Sequence, residues 1–167
     1  MKAQDVIDSL VEAVDAPPPP AIVQRVQYAQ EDKDIVTACL IGEAGGEGVQ
    51  GMTAVLNVIC NRAKNDPRKY HQVVLKPYQF SMFNRVTVNK KGTVSDIVTA
   101  ARKHPMWARA SLLVNQAYNK ELPDMTQGST HYHNLTVTPS WSKKLPLKTT
   151  VGHHKFYKES SDLRSVA

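Results

Sequence analysis

Two glutamates separated by glycines, Glu43 and Glu47, are the side chains of this sequence best placed for acid–base chemistry. Glu43 follows a mostly apolar stretch over residues 34–41, whose spacing predicts a helix. Gly45 and Gly46 then end this helix, so we expect Glu43 in its last turn. The negative end of the helix dipole and the apolar neighbours both disfavour an ionised carboxylate there. A carboxyl that keeps its proton near neutral pH suits a general acid for glycosidic bonds, and the alternative is a solvated glutamate at a helix end.

The spacing of the two glutamates offers a second possibility. If helical geometry continued across the glycines, Glu43 and Glu47 would share one face with their Cβ atoms about 5–6 Å apart. That separation is close to the roughly 5–5.5 Å between the carboxyls of retaining glycosidases. Because the glycines interrupt the helix, we expect only Glu43 to do the chemistry.

Four histidines form another group that could carry chemistry: His131, His133, His153 and His154. A His-x-His pair on a strand points both rings to one face, as a metal site requires, and a hairpin could supply a third ligand. No Asp, Glu or Cys lies at a suitable spacing beside them. We therefore expect no metal and no cofactor, and histidines that line a sugar cleft or form hydrogen bonds within the core.

The remaining periodicity predicts an α+β domain, mainly helical with a small antiparallel sheet. Apolar residues at three- and four-residue spacing predict helices, the first with Asp32 or Asp34 as its cap. These helices are predicted over residues 34–41, 48–64, 70–75, 94–103 and 106–120. Extended segments are predicted over 79–83, where a loop is the alternative, over 129–134, and in a terminal hairpin of 147–151 and 154–157.

A proline run marks the clearest boundary of the chain. Residues 1–20 combine an amphipathic helical pattern with the spacer Pro17–Pro20, residues 21–160 form the predicted catalytic domain, and residues 161–167 are a polar tail. A lone helix of this length is marginal in water, so its apolar stripe needs a surface to cover it. We expect this helix to dock on its own domain, on an anionic cell envelope or on a virion component, and not to belong to the catalytic cleft.

The composition indicates one globular domain with an anionic partner. The chain has 167 residues, 41% of them hydrophobic, and a formal net charge of +6. A basic surface suits nucleic acid, membrane headgroups or an anionic cell-wall polymer, and we expect the last of these, with a monomeric protein and no nucleic acid. No signal peptide or membrane-spanning run is evident, and Cys39 and Cys60 are predicted to be buried, reduced thiols, so we expect synthesis in the cytoplasm.

Six short motifs, in this order along the chain, resemble the spore-cortex-lytic (SleB/CwlJ) type of bacterial cell-wall hydrolase. They cover about residues 34–158, the whole predicted core. The motifs are Ile41 to Glu47, Val55 to Arg62, Gln79 to Ser81, Thr130 to Asn134, Pro139 to Trp141, and Gly152 to Tyr157. Two positions depart from the family pattern: Gly45 stands where the family often has Arg, and Met82 where it often has Trp.

The resemblance implies a lysozyme-like fold, similar to lytic transglycosylases, that acts on the glycan strands of peptidoglycan. It also implies that the first Glu of the Gly-Glu motif, here Glu43, is the catalytic acid. We expect the substrate to be bound by polar side chains and by flat aromatic faces. The candidates are Glu47, Gln79, Ser81, His131, Tyr132, Asn134 and Trp141.

The expected reaction is cleavage between N-acetylmuramic acid and N-acetylglucosamine, by a lytic transglycosylase or a muramidase. A single catalytic carboxyl favours the transglycosylase. Without a signal peptide, the expected setting is lysis of a Gram-negative host by a phage endolysin or a virion-associated enzyme. The alternatives are a His-metal amidase or endopeptidase and a non-enzymatic virion or wall-binding protein.

Overall fold

The computed structural model of the protein describes residues 27–160. The predicted N-terminal helix, most of the lead-in to the domain and the tail at 161–167 lie outside the described residues. In order, the described chain forms α1 (Gln30–Ala44), α2 (Gly48–Arg62), α3 (Tyr70–Leu75), α4 (Ser81–Thr87), α5 (Val94–Ala101), α6 (Trp107–Tyr118), β1 (His131–Asn134), β2 (Leu147–Val151) and β3 (His154–Tyr157). Short 3-10 turns lie at Gly45–Glu47, Pro67–Lys69 and Ser140–Lys143. The predicted α+β class is confirmed.

Helix α1 is the central helix of the domain. Its residues 36–40 are all buried, because α2, α3, α5 and α6 enclose it. A helix buried on every side must be largely free of charge along its middle, and this one is. Because the neighbouring helices hold α1 in place, Glu43 in its last turn lies at a fixed position at the edge of the helical core.

The start of α1 differs from the prediction. The helix begins at Gln30 with Ala29 as its N-cap and has no side-chain cap, so the assignment of Asp32 or Asp34 as the cap was wrong. Asp34 is buried instead. It accepts a hydrogen bond from Gln30 Nε2 at 2.9 Å and forms an ion pair with Arg102. A buried carboxylate needs such partners because leaving it unpaired costs several kcal/mol.

Helix α2 separates the helical core from the sheet. Met52, Val55, Leu56 and Ile59 face the helices, as the apolar spacing predicted. Ala54 and Val58 pack on the other side against Phe156, which is fully buried in β3. With both faces covered, α2 fixes the sheet relative to α1.

The sheet has the order β1–β3–β2, and both pairs are antiparallel. The predicted hairpin of residues 147–151 and 154–157 is confirmed, and β1 adds to its free side. Tyr132 lies opposite Phe156 and Asn134 lies opposite His154 in this register. Tyr132 of β1 reaches Glu43 at the end of α1, and Thr130, just before β1, contacts Arg62 at the end of α2.

Residues 79–83 form a turn and the start of a helix, so the predicted strand or extended loop was wrong for its second half. Helix α4 begins at Ser81. Phe80 and Phe83, three residues apart, are both buried in the helical core. Alternation over five residues cannot distinguish a strand from a short helical turn, and burial of this pair at helical spacing decided the outcome.

Polar side chains of α2 hold the loop that precedes β1. Asn57 donates from Nδ2 to Pro123 O at 3.1 Å and accepts from Met125 N at 3.0 Å. Asn61 Nδ2 lies 3.1 Å from Asp124 Oδ2 and 3.0 Å from Ser129 O. These contacts fix the end of the loop, and therefore the start of β1, on α2.

We expect Asp124→Asn to lower the stability of the fold at neutral pH and to reduce the loss of stability as the pH falls. Burial by itself raises the pKa of Asp124, but hydrogen bonds from Thr126, Asn61 and Gly128 together lower it. A carboxylate with a lowered folded-state pKa stabilises the fold fully above the unfolded value, about 3.9, and this contribution is lost as pH falls through the folded value. Urea unfolding from pH 7 to pH 2 measures the effect. Superimposable pH profiles of the two proteins would contradict it.

Both cysteines are free and buried, as predicted. Burial raises the pKa of Cys60 to about 11 and that of Cys39 well above its usual range. Both therefore remain thiols at physiological pH. Within residues 27–160, no helix combines the length and the apolar character needed to cross a bilayer.

Candidate active site

Glu43 meets Tyr132 where the helical core adjoins the sheet. Glu43 is the second-last residue of α1, as predicted, and its side chain is half-buried. The phenol of Tyr132 in β1 donates a hydrogen bond to Glu43 Oε2 at 2.7 Å. Because Tyr132 occupies Oε2, the other oxygen, Oε1, is the position for a transferable proton.

Tyr132 is held rigidly. Its ring stacks on Phe156 with centroids 5.6 Å apart, and the His154 ring meets it edge-on at 5.1 Å. Burial raises the pKa of Tyr132 well above its usual range, and the nearby Glu43 adds to this effect. The phenol therefore keeps its proton and remains a donor in either ionisation state of Glu43.

Arg62 is a third component, which the sequence analysis did not single out as a site residue. Its Nε donates to Thr130 O at 2.6 Å, and its Nη1 donates to Gln79 Oε1 at 3.1 Å. Burial lowers the pKa of Arg62, while Tyr132, Cys39 and Glu43 oppose this change. A guanidinium stays charged under such conditions. Its charge favours the carboxylate that Glu43 becomes after giving up a proton.

A signal for Arg62 was nevertheless present in the sequence. Arg62 ends the apolar helix motif Val55 to Arg62. A positive charge at the last position of a helix is usually explained by its favourable interaction with the helix dipole. Only the fold shows that its side chain joins the loop before β1 to Gln79.

A cleft of about 680 Å³ opens beside this group. Of the predicted substrate-binding residues, Gln79, His131, Tyr132 and Trp141 line it. The rest of the lining comes from Asn61, Arg62, Lys64, Val73, Lys76, Tyr78, Thr130 and Glu159. The cleft thus combines aromatic faces, hydrogen-bonding groups and several positive charges, next to the hydrogen-bonded pair of Tyr132 and Glu43.

Ser81, Asn134 and Glu47 lie outside the lining of this cleft. Ser81 is the exposed first residue of α4. Asn134 Oδ1 accepts a hydrogen bond from Thr136 N at 2.9 Å, so this side chain shapes the turn after β1. Glu43 is likewise outside the lining, and Tyr132, which lines the cleft, is its hydrogen-bond partner.

Glu47 connects the 3-10 turn to the tip of the hairpin. Its Oε2 lies 3.0 Å from His154 Nδ1 and its Oε1 lies 3.4 Å from His153 Nδ1, and its side chain is only 13% exposed. Gly152, with φ +55°, lies against it, and a Cβ there would be 2.9 Å from Oε2. His154 contacts both Glu47 and the Tyr132 ring, so Glu47 helps to position Tyr132 through His154.

We expect Glu47→Gln to reduce activity less than Glu43→Gln and to reduce stability more. The amide keeps the shape of the side chain but loses the charge that two histidines face, and hydrogen bonds to charged groups contribute about 1.5–3 kcal/mol. Steady-state turnover and thermal unfolding of both variants test this. A Glu47→Gln protein that is as inactive as Glu43→Gln while fully stable would make Glu47 a catalytic residue.

The other histidines have partners within the protein. His133 is buried, with Nε2 2.9 Å from the Tyr157 hydroxyl and Nδ1 2.8 Å from Asn134 O. Burial lowers the pKa of His131, and the charge of Arg62 adds to this, so its ring is neutral at neutral pH. Within residues 27–160, no group of three His, Cys, Asp or Glu side chains is arranged to hold a metal ion.

Comparisons with known proteins place these features in context. The family model described as Cell Wall Hydrolase matches residues 46–157. The fold is similar to the catalytic domain of the germination-specific lytic transglycosylase SleB from Bacillus anthracis, with 25% identity and a TM-score of 0.58, over 78% of this chain and 97% of that chain. It is also similar to the catalytic domain of the Bacillus cereus SleB protein, with 24% identity and a TM-score of 0.58, over 79% of this chain and 93% of that chain. A search of curated proteins gave no significant match.

The family match begins three residues after Glu43, at residue 46. It therefore covers α2, the loop that α2 holds, and the whole sheet, which together carry Arg62 and Tyr132. The role of Glu43 is argued from its position at the end of α1 and from its hydrogen bond with Tyr132.

Proposed function

Because the chain belongs to the cell wall hydrolase family, we propose that it cleaves the glycan strands of peptidoglycan between N-acetylmuramic acid and N-acetylglucosamine, with Glu43 as the general acid. The observation that carries this proposal is the 2.7 Å hydrogen bond to Glu43 from the phenol of Tyr132, a residue that lines the cleft. In this proposal a glycan strand in the cleft lies against Tyr132, whose phenol occupies one oxygen of the Glu43 carboxyl and leaves the other free to donate.

The reaction begins with the proton on Glu43 Oε1. It passes to the glycosidic oxygen as the bond to the muramic acid anomeric carbon breaks through an oxocarbenium-like state. The electron pair of the broken bond stays on the leaving oxygen. Tyr132 donates to the new carboxylate, and the charge of Arg62 favours it, so both groups stabilise the product side of the proton transfer more than the reactant side.

We propose the transglycosylase outcome for the second half of the reaction. The Glu43 carboxylate removes the proton of the muramic acid 6-hydroxyl, which restores the carboxylic acid. The hydroxyl oxygen bonds to the anomeric carbon and closes a 1,6-anhydro ring. The support is the placement of Glu47, whose carboxylate lies against His153 and His154 and is therefore taken up by contacts within the protein. Among the described residues that line the cleft, Glu159 is the one acid.

Mass spectrometry of digested peptidoglycan tests this proposal. A transglycosylase leaves 1,6-anhydro ends, which are one water lighter than the reducing ends left by a muramidase. We expect anhydro products from the native protein and from Glu159→Gln. Reducing ends in the native digest that disappear in Glu159→Gln would instead assign Glu159 as the base of a muramidase.

A His-metal amidase or endopeptidase is the competing enzyme class, and chelation separates the two. We expect EDTA to leave activity unchanged within about twofold, because the proposed chemistry uses one carboxyl and no Lewis acid. The measurement is turbidity loss of purified peptidoglycan, with and without EDTA. Activity that EDTA abolishes and zinc restores, together with released peptides, would reverse the assignment.

We further propose lysis of a Gram-negative host during phage release or entry as the setting. The net charge of +6 supports it, because a basic protein is attracted to anionic murein and outer-membrane lipid. Production of the chain with an added periplasmic leader should lyse the cells, and the same Glu43→Gln protein should leave them intact. Survival of cells that export folded, active protein would count against this setting.

A further inference from the structure

The turn between α3 and α4 holds an aromatic residue in a backbone conformation that aromatic residues avoid. Gln79 N donates to Lys76 O at 3.2 Å, which closes a turn with Pro77 and Tyr78 at its centre. Tyr78 has φ +65°. Proline at the second position and positive φ at the third are features of a type II turn, where the third residue is normally Gly or Asn. A bulky residue there is strained.

This choice of residue is unusual within the protein itself. The other non-glycine residues with positive φ between residues 27 and 160 are polar and unbranched: Lys64, Asn65, Lys90, Lys120 and Gln127. Tyr78 is also held in place from outside the turn, since its backbone N–H donates to Asn84 Oδ1 in α4 at 3.1 Å.

Packing does not explain the tyrosine. Its side chain is 75% exposed, so the ring gains little from burial in return for the strained backbone. Single exposed apolar residues are common on protein surfaces and need no explanation. Tyr78 differs because its left-handed backbone conformation also costs strain energy. Strain that is kept in a cleft points to a functional use of the side chain.

The turn is also linked to the site. Tyr78 lines the 680 Å³ cleft, as do its neighbour Gln79 and Trp141. Gln79 accepts the hydrogen bond from Arg62 Nη1, so the turn is fixed to the guanidinium that lies near Glu43. The backbone that carries the Tyr78 ring is thereby held at a defined place in the wall of the cleft.

We propose that Tyr78 is a sugar-binding platform: its ring packs on the apolar face of a pyranose ring of the glycan strand in the cleft. This inference rests on the proposed function. Flat aromatic faces suit sugar rings because the C–H groups of the pyranose meet the negatively charged face of the aromatic ring. Tyr78 binds substrate and takes no part in the proton transfer, so its loss affects binding and not the chemical step.

The test uses peptide-free glycan strands prepared from purified peptidoglycan, and it measures binding in the inactive Glu43→Gln background. Tyr78→Gly and Tyr78→Asn both suit the left-handed turn, so we expect their melting temperatures not to fall. We expect both to raise the Kd by about fivefold to tenfold, while Tyr78→Phe, which keeps the ring, stays near the parent value. In the active protein the same changes should raise KM and leave kcat within about twofold.

The matched control is Lys120→Gly. Lys120 is exposed, has φ +59° and lies outside the cleft lining, so the change relieves the same backbone conformation away from the cleft. Its Kd should equal that of the parent. If Tyr78→Gly and Tyr78→Asn bind glycan as the parent does, Tyr78 is no platform although the proposed function stands. If the parent protein binds no glycan and the active protein cleaves none, the proposed function and the platform are both wrong.

Discussion

Glu43→Gln should lower peptidoglycan cleavage by about 10²–10⁴-fold, to near the background rate, and leave the fold intact. The amide has the shape of the carboxyl and can still accept the hydrogen bond from Tyr132. It carries no proton acidic enough to give to the glycosidic oxygen. Turbidity loss and product analysis measure the activity, and circular dichroism with thermal unfolding measures the fold.

The comparison of Glu43 with Glu47 makes this result specific. Glu47→Gln makes the same carboxyl-to-amide change only four positions away, but at a residue whose carboxylate faces His153 and His154. Unequal losses, with Glu43 far more severe, fit a mechanism with one carboxyl. Equal and complete loss from both changes, in folded proteins, would refute it.

Tyr132→Phe should lower kcat by about tenfold to a hundredfold with a smaller change in KM. The change removes only the phenol oxygen that lies 2.7 Å from Glu43 Oε2, and the ring can still stack on Phe156. A hydrogen bond to a charged group contributes about 1.5–3 kcal/mol. The loss appears in kcat because the hydrogen bond is stronger once Glu43 has become a carboxylate.

Tyr157→Phe is the matched control for this experiment. It also removes a buried phenol in the same sheet, but that phenol pairs with His133 Nε2 at 2.9 Å. We expect it to lower stability by about 1–3 kcal/mol, because His133 Nε2 is left without a partner, and to leave kcat unchanged. If both substitutions lowered kcat equally, the effect of Tyr132 would come from the sheet and not from Glu43.

The family and the main elements could be predicted from the sequence because they depend on local patterns. Apolar spacing located α2 to within two residues at its end, and alternation located the hairpin. Glycines after an apolar helix located Glu43 in a last helical turn. The order of the short motifs indicated a cell-wall hydrolase, which the family match confirms.

Three features of the candidate site depended on contacts distant in sequence. Glu43 and its donor Tyr132 are 89 residues apart, and Arg62 reaches Thr130 across 68 residues. Glu47 reaches His154 across 107 residues, so its contact with the hairpin could not be read from local spacing. Local spacing carries no information about such pairs.

The sequence by itself therefore determined which residue types were available for chemistry and roughly where the longer helices lie, because periodicity and glycine act within one or two turns. Only the tertiary structure decided which carboxyl meets the Tyr132 phenol and which is bound by histidines. The physical reason is that α2 is buried on both faces, between the helical core and Phe156. That packing fixes the sheet against the end of α1 and brings the Tyr132 phenol to Glu43.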